Sequence, residues 1–217
     1  MNIKIDDSIL NVLPSFSIIA YSMDVEYDSS EKVEALISSY EKKIMEEYSL
    51  EDVLDIPLIK EARDSYKKLG KDPSRYRLAC ESLLRRLVKG NKLYRINNLV
   101  DLGNVLSIAT RRSVAVLDYD KIVGDVLIRV GRQSDEYEGI GRGKINIENI
   151  PLYEDEVGPF GSTTSDTERT MITESTKKIL LFVVCFGESE KELDNELAVS
   201  LFKDYANAKN ITKIIIQ

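Results

Sequence analysis

Histidine is absent from the 217-residue chain, and this absence narrows the possible chemistry more than any other compositional feature. Without imidazole the chain cannot form a Ser-His-Asp or Cys-His catalytic site, nor a zinc site with histidine ligands. Catalysis would have to use carboxylates, lysine, hydroxyls, backbone amides or bound water. We therefore expect neither a metal site nor a cofactor.

Cysteine is scarce, and long apolar runs are missing. Cys80 and Cys185 each lie inside an apolar stretch, which indicates two small buried thiols rather than a disulfide. No run approaches the roughly 18 to 20 apolar residues that a membrane helix needs, and the first residues lack a secretory signal pattern. We expect a cytoplasmic protein that contacts no membrane.

Charge is unevenly distributed along the chain. The net charge is −7, yet residues 67–95 carry 10 cations and only 2 anions. Such a segment can touch phosphates locally within an acidic protein, although a solvated helical face has the same composition. The RNA-binding residues predicted in this segment are Lys67, Lys68, Lys71, Arg75, Arg85, Arg86 and Lys89.

The spacing of apolar residues predicts a single mixed α+β domain over residues 1–217. Helices are expected at residues 28–48, 58–69, 72–90, 97–110 and 188–209. Strands are expected at residues 15–27, 114–117, 122–130, 145–147, 178–186 and 211–216. In the last helix, a stripe at four-residue spacing should face the core, formed by Leu193, Leu197, Leu201 and Tyr205.

Four polar residues interrupt the otherwise apolar helix at residues 97–110. Asn98, Asp101, Asn104 and Ser107 are spaced by three residues, which places them on one face of the helix. Each needs a partner if it is buried. The face is therefore either a pocket wall or a polar lock on the neighbouring chain, and Asp101 is expected to be a cap or turn partner, as is Asp118.

Two loops have compositions that suggest ligand binding. Residues 139–144 are rich in glycine and cations, but they match neither the P-loop nor the dinucleotide fingerprint, so a hairpin tip is favoured over a phosphate cradle. Residues 158–169 are dense in hydroxyls and small side chains. Such a loop can present amides and hydroxyls to an amino acid or ester, and a plain polar loop looks the same.

The segment from Tyr66 to Val130 contains four motifs in order, at residues 69–74 (Leu-Gly-Lys-Asp-Pro-Ser), 81–86 (Glu-Ser-Leu-Leu-Arg-Arg), 96–104 (Ile-Asn-Asn-Leu-Val-Asp-Leu-Gly-Asn) and 117–124 (Leu-Asp-Tyr-Asp-Lys-Ile-Val-Gly). In this order they resemble the editing domain of the phenylalanyl-tRNA synthetase beta subunit, in its free-standing form. The resemblance implies an editing-domain-like core at residues 60–186. Outside it would lie a peripheral strand-helix layer at residues 1–55 and a closing helix and strand at residues 187–217.

The resemblance also implies a pocket that hydrolyses tyrosine wrongly attached to the phenylalanine tRNA. It places Gly103 and Asn104 at pocket-lining positions, Gly161 near the pocket wall and Thr176 on a threonine-led strand. The expected pocket residues are Asn98, Gly103, Asn104, Ser107, Ala115, Gly161, Ser162, Thr163 and Thr176.

Two polar residues of the family's synthetase form have no counterpart in this sequence. The histidine before the Asp of its Asp-x-Asp-Lys turn falls on Ala115, and the glutamate on its later strand falls on Phe182. This loss does not exclude hydrolysis, because an aminoacyl ester is already activated and a positioned water can act beside amide dipoles. Asp166, Glu168 and Glu174 are candidates for the group that activates water.

Three functions remain open from the sequence. A trans-acting editing factor that hydrolyses misacylated tRNA should bind RNA with strong salt dependence. A non-catalytic module that binds an amino acid or an aminoacyl-tRNA end should be stabilised by its ligand without turnover. In a structural interaction domain, the polar helix face would only lock the fold. The expected partners are tRNA or aminoacyl-tRNA and an amino acid, and not DNA.

Overall fold

The computed structural model describes all residues from 1 to 217. Its strands are β1 (Ile3–Ile5), β2 (Ser17–Asp24), β3 (Val114–Asp118), β4 (Val126–Val130), β5 (Glu136–Gly139), β6 (Gly143–Asn146), β7 (Pro151–Glu154), β8 (Pro159–Ser162), β9 (Lys178–Cys185) and β10 (Lys209–Lys213). Its α-helices are α1 (Asp7–Leu10), α2 (Glu34–Glu47), α3 (Pro57–Lys68), α4 (Ala79–Val88), α5 (Asn98–Thr110) and α6 (Lys191–Tyr205).

The strands form two four-stranded sheets and a separate hairpin of β5 and β6. The first sheet has the order β10-β2-β9-β3 and is antiparallel, whereas the second has the order β1-β4-β7-β8 and includes the parallel pair β1–β4. Phe182 of β9 packs edge-to-face against Tyr153 of β7 with ring centroids 5.0 Å apart. The two sheets therefore meet in one core, and the predicted α+β class is confirmed.

The first 55 residues contribute a central strand to this core. β2 pairs with β9 along its whole length, from Ser17 opposite Cys185 to Asp24 opposite Lys178, and β10 pairs with its other edge. Its residues between Ile18 and Met23 are all buried. The expectation that this segment is peripheral is therefore corrected, because a strand buried on both faces with two partners belongs to the interior.

Helix α5 follows the predicted bounds closely. Asn97 caps it by accepting a hydrogen bond from the Val100 backbone N–H at 3.0 Å, and most of its residues are buried. Helix α4, in contrast, begins at Ala79 and not at the predicted Asp72. Residues 72–76 form a turn in which the Pro73 carbonyl accepts a hydrogen bond from Arg63 at 3.1 Å, so the Asp-Pro signal marks a turn here.

The predicted apolar stripe of α6 is wrong at its first member. Leu193 is 66% exposed, and Asp194 is buried in its place, where its Oδ2 pairs with the Arg112 Nε at 2.5 Å. Four-residue steps advance a side chain by about 40° around a helix, so a stripe at that spacing drifts away from the core. Cys80 and Cys185 are both free and buried, as predicted. None of the helices combines the length and the apolarity that crossing a membrane requires.

Candidate functional site

A pocket of about 200 Å³ opens between α5, β3 and the chain around the tip of the β5–β6 hairpin. Most of its lining is apolar, and three of the lining side chains are also exposed at its mouth, namely Ile96, Ile140 and Met171. The remaining lining residues are Asn97, Val100, Gly103, Asn104, Val114, Val116, Leu117, Asp166 and Ile172. This volume is below the roughly 300–1,000 Å³ of drug-sized sites and suits a ligand the size of one amino acid.

Gly103 allows the pocket wall to form. A Cβ at this position would lie 2.5 Å from the Val116 Cγ2 atom, so only glycine lets α5 approach β3 this closely. Asn104, the next residue, lines the pocket, is half-buried and forms no side-chain hydrogen bond within the protein. The structure thus places these two predicted residues at the pocket and leaves the Asn104 amide available to a ligand.

The other polar residues of α5 lock the fold and lie away from the pocket. Asn98 bridges the preceding segment, since its Oδ1 accepts from the Asp28 N–H and its Nδ2 donates to the Glu26 carbonyl, both at 2.8 Å. Asp101 accepts hydrogen bonds from Ser30 Oγ and from the Ile96 N–H, and burial raises its pKa. Both predicted alternatives for this helix face are therefore realised, by different residues.

Ser107 completes this lock, because its hydroxyl donates to the Arg112 carbonyl at 2.6 Å just beyond the end of α5. The predicted pocket residues Asn98 and Ser107 consequently have structural partners, and neither lines the pocket.

Asp166 is the ionisable group of the pocket. The residue is half-buried, but its Oδ1 atom is completely buried and has no hydrogen-bond partner. Burial raises the pKa of Asp166 to about 7, and the backbone N–H of Ser162 opposes this only in part. A carboxyl with this pKa exists in both protonation states at neutral pH, which is the property required of a general acid or base.

Gly161 shapes the environment of the Asp166 carboxyl. A Cβ on Gly161 would lie 2.5 Å from Asp166 Oδ1 and 2.9 Å from Tyr153 Cδ2, so glycine leaves the space that the carboxylate occupies. The Tyr153 hydroxyl is also buried without a partner, and burial raises its pKa well above its ordinary value. Gly161 therefore leaves room for the Asp166 carboxylate but does not itself line the pocket, as the sequence had predicted it would.

The hydroxyls of the 158–169 loop face inward. Ser162 Oγ accepts from the Tyr137 hydroxyl at 2.7 Å, and Thr163 Oγ1 is hydrogen-bonded to the buried Tyr66 hydroxyl. The Thr163 carbonyl accepts from Ser113 Oγ at 3.0 Å. The expectation that Ser162 and Thr163 meet a ligand is corrected, because these hydroxyls are consumed by internal hydrogen bonds.

Thr176 and Ala115 also lie outside the pocket. Thr176 Oγ1 donates to Asp118 Oδ2 at 2.7 Å, while Asp118 Oδ1 accepts from the Asp120 N–H at 3.1 Å. Asp118 is thus the turn partner that the sequence predicts. Ala115 is buried within β3 and faces away from the Val114 and Val116 side chains that line the pocket.

Only one of the three carboxylates proposed from the sequence for water activation lies at the pocket. Asp166 lines the pocket, whereas Glu168 and Glu174 are exposed residues that do not. The apolar lining was not predicted from the sequence, although the alternation of Val114 and Val116 in β3 indicates it. The lining residues that were not predicted are Ile96, Asn97, Val100, Val114, Val116, Leu117, Ile140, Met171 and Ile172.

A cationic groove lies on the outer face of α4. It has a volume of about 350 Å³ and no apolar lining residue. The groove residues are Arg77, Ser82, Arg85, Arg86, Lys89, Asn91 and Arg142. Three predicted RNA-binding residues meet there, Arg85, Arg86 and Lys89, together with Arg77 and Arg142, which the prediction omitted. Lys67, Lys68 and Arg75 are exposed but lie outside the groove.

Lys71 requires a correction to the predicted RNA-binding set. It is buried, and its Nζ donates to Asn146 Oδ1 and to the Glu148 carbonyl at 2.7 Å and to the Asn146 carbonyl at 3.1 Å. The ammonium also lies 3.8 Å from the centre of the Tyr76 ring, and burial lowers its pKa. An ammonium with these partners holds the loop after β6 and cannot reach a phosphate.

These features define a mixed α+β domain with an amino-acid-sized apolar pocket beside a cationic groove. A family model described as the B3/4 domain matches residues 61–203, more than half of the sequence, and the chain belongs to this family. The comparison with curated proteins found no match.

Among solved structures, the chain is similar to an N-terminal fragment of the phenylalanyl-tRNA synthetase beta subunit from Pyrococcus horikoshii, with a TM-score of 0.53 and 12% identity. The alignment covers 100% of this chain and 51% of that one, so the chain spans about half the length of the structure it matches. At this identity the likeness shows the fold.

The resemblance to the phenylalanyl-tRNA synthetase beta subunit is therefore confirmed, but its predicted limits are too narrow. The family match continues past residue 186 into α6, and the structural alignment includes the first 55 residues. Sequence motifs found only the middle of the region because the remainder is held by pairing and burial, which tolerate many apolar sequences.

Proposed function

We propose that this domain hydrolyses the ester bond of misacylated tRNA in trans, with Asp166 as the general base. The observation that carries the proposal is a carboxyl with a pKa of about 7 in an apolar, amino-acid-sized pocket. The cationic groove on α4 supports an RNA substrate. Because aminoacyl-tRNA is used in translation, the proposal includes the expected cytoplasmic location.

The proposed reaction needs one proton acceptor and no histidine. Ionised Asp166 takes a proton from water as the water oxygen attacks the ester carbonyl. When the carbon–oxygen bond to the ribose breaks, the protonated Asp166 returns the proton to the leaving ribose oxygen. The products are a free amino acid and a tRNA with a free hydroxyl, and the carboxylate is regenerated.

The pocket supplies recognition through two kinds of contact. Val100, Val114 and Val116 offer an apolar surface to the amino-acid side chain. The Asn104 amide, which has no internal partner, can hydrogen-bond the ammonium or carbonyl group of the amino acid. A bound ligand would satisfy this amide and exclude water from the apolar wall.

The test is release of amino acid from a panel of correctly and wrongly charged tRNAs, beginning with tyrosine on the phenylalanine tRNA. We expect turnover that Asp166→Asn abolishes and that Asn104→Ala weakens mainly through KM. The rate should rise with pH, reach half its maximum near pH 7 and level off above about pH 8, because only ionised Asp166 accepts a proton.

Glu168→Gln and Glu174→Gln are matched controls, since each removes one exposed carboxylate near the same loop. Both variants should retain the wild-type rate. Equal activity of Asp166→Asn and the wild type would remove Asp166 from the mechanism, and absence of release from every charged tRNA would remove the hydrolase.

A second function, a non-catalytic module that binds the amino acid or the aminoacyl end, is favoured by one observation. Ala115 and Phe182, where the family resemblance expects polar residues, are both buried and apolar. A domain that had lost hydrolysis would still use the pocket. Stabilisation by an aminoacyl-tRNA or by a free amino acid, with no release of product, would establish this function.

A further inference from the structure

The groove on α4 has a large excess of positive charge. Five of its seven residues are cationic, namely Arg77, Arg85, Arg86, Lys89 and Arg142, and none is acidic. Ser82 and Asn91 add neutral hydrogen-bonding groups. Bringing these cations together costs electrostatic free energy, and a bound anion would offset it.

One carboxylate lies beneath the groove, and it is already in use. Glu81 is fully buried, and its Oε2 pairs with Arg63 Nη1 at 2.8 Å. Its Oε1 lies 3.8 Å from Arg85 and 3.9 Å from Arg77 and has no hydrogen bond. The one negative charge of Glu81 cannot neutralise all five cations, so the outer part of the groove stays positively charged.

Arg86 is held in place by the chain that follows α4. Its Nε donates to the Lys92 carbonyl at 2.6 Å and its Nη1 donates to the Tyr94 hydroxyl at 3.1 Å. The guanidinium also stacks on the Tyr94 ring, with 3.9 Å between the guanidinium carbon and the ring centre, and Tyr94 is 63% exposed. A fixed cation beside an exposed aromatic ring is a recurring feature of single-stranded nucleic acid sites.

The hairpin tip connects the groove to the pocket. Between β5 and β6, Ile140 lines the pocket and Arg142 lines the groove, with only Gly141 between them. The Ile140 N–H donates to the Asp166 carbonyl at 3.0 Å, and the Arg142 N–H donates to the Gly139 carbonyl at 3.0 Å. One tight turn therefore contacts the cationic groove, the pocket mouth and the backbone of Asp166.

We propose that the groove binds the phosphate groups of a single-stranded RNA end, and that Arg142 couples its occupancy to the pocket mouth. A phosphate held by Arg86 and Lys89 also engages Arg142, and this contact holds the tip with Ile140 against the pocket and Asp166. The proposal rests on the proposed function only for the choice of RNA as the phosphate source. It makes Arg142 a positioning residue.

The test is binding of a short single-stranded RNA to the full chain, with inorganic phosphate as a second probe. We expect Arg142→Ala and Lys89→Ala each to weaken RNA binding about fivefold to tenfold and to lower the salt slope by about one. Arg132→Ala is the matched control, because Arg132 is an exposed arginine outside the groove. Binding of inorganic phosphate alone, without RNA binding, would overturn the RNA assignment.

Hydrogen exchange tests the coupling separately. RNA should slow amide exchange at the tip, residues 139–143, and at the 158–169 loop, and Arg142→Ala should lose this protection even at saturating RNA. Protection restricted to α4 would overturn the coupling. Neither measurement needs hydrolysis, so an inactive protein that binds RNA with tip protection would refute the proposed function alone, and an active one that lacks groove binding would refute this proposal alone.

Discussion

Ala115 and Phe182 lie directly opposite each other on the neighbouring strands β3 and β9. The family resemblance expects a histidine and a glutamate at these two positions, so both replacements meet at one point of the sheet. Both residues are buried, and the Phe182 ring packs on Tyr153. The apolar pair is therefore part of the core that joins the two sheets.

Reintroducing a carboxylate at this point should damage the fold. Phe182→Glu is expected to destabilise the chain by more than about 3 kcal/mol, because it removes a buried ring and buries a charge without a partner. Phe182→Leu, the volume-related control, should cost less than about 2 kcal/mol. Urea unfolding measures both variants. A stable Phe182→Glu protein with faster hydrolysis would show that the position is catalytic after all.

Asp166 should make stability depend on pH. Its folded pKa of about 7 lies above its ordinary value of 3.8, so the folded state binds the proton more tightly. The protonated Asp166 carboxyl therefore contributes to the free energy of unfolding fully below pH 4, and this contribution is lost as the pH rises to about 7. Asp166→Asn should therefore be more stable than the wild type at pH 8, by as much as about 4 kcal/mol, and nearly equal to it at pH 4.

Thermal or urea unfolding of both proteins across pH 4–9 checks this expectation. Glu174→Gln, which changes an exposed carboxylate, should give no such difference. A wild-type curve parallel to that of Asp166→Asn at every pH would mean that Asp166 has an ordinary pKa.

Gly161→Ala should disturb the site without touching the pocket lining. The added methyl group would lie 2.5 Å from Asp166 Oδ1, which must move together with the Tyr153 ring. We expect a loss of about 1–3 kcal/mol of stability and a shifted pH–rate profile. Gly158→Ala is the control, because a Cβ there meets no atom within 4 Å, although its φ of +136° adds strain. An unchanged profile in Gly161→Ala would contradict the proposed support of Asp166.

Two lysines from the same basic segment should behave in opposite ways. Lys71→Met leaves the Asn146 and Glu148 acceptors without their donor and should cost about 1–3 kcal/mol, while leaving RNA affinity unchanged. Lys89→Met removes an exposed charge and should change stability by less than about 0.5 kcal/mol while weakening RNA binding. Urea unfolding and RNA titration of both variants distinguish the two roles, and a reversal of either pattern would refute the assignment.

The sequence predicted those helices and strands whose own residues carry a clear pattern of apolar residues and caps. The continuous apolar run of β9 and the capped, apolar α5 were found close to their true bounds. The start of α4 was missed because Asp72 and Pro73 are equally good turn residues, and the choice depends on Arg63, which lies on another helix.

The candidate site was only partly predictable for the same reason. Gly103 and Asn104 were identified through the motif, and Asp166 only through its position in a polar loop. The burial that raises the pKa of Asp166 depends on how the folded chain packs around the carboxyl, which no local spacing reveals. Arg142 joined the groove through the fold of a hairpin, which no spacing within residues 67–95 reveals.

Strand β2 lies in the middle of its sheet but outside the region that matches the family model. The region of sequence similarity is therefore smaller than the unit that forms the sheet. Residues 61–203 match the family model, but a chain cut to these limits would lack β2 and β10 and would expose one whole edge of the apolar strand β9. Such an edge invites pairing with another chain. Ser17 of β2 pairs with Cys185 of β9, so this sheet is completed by contacts between residues far apart in the sequence, a kind of contact that slows folding. The B3/4 segment by itself holds only two of the four strands of this sheet.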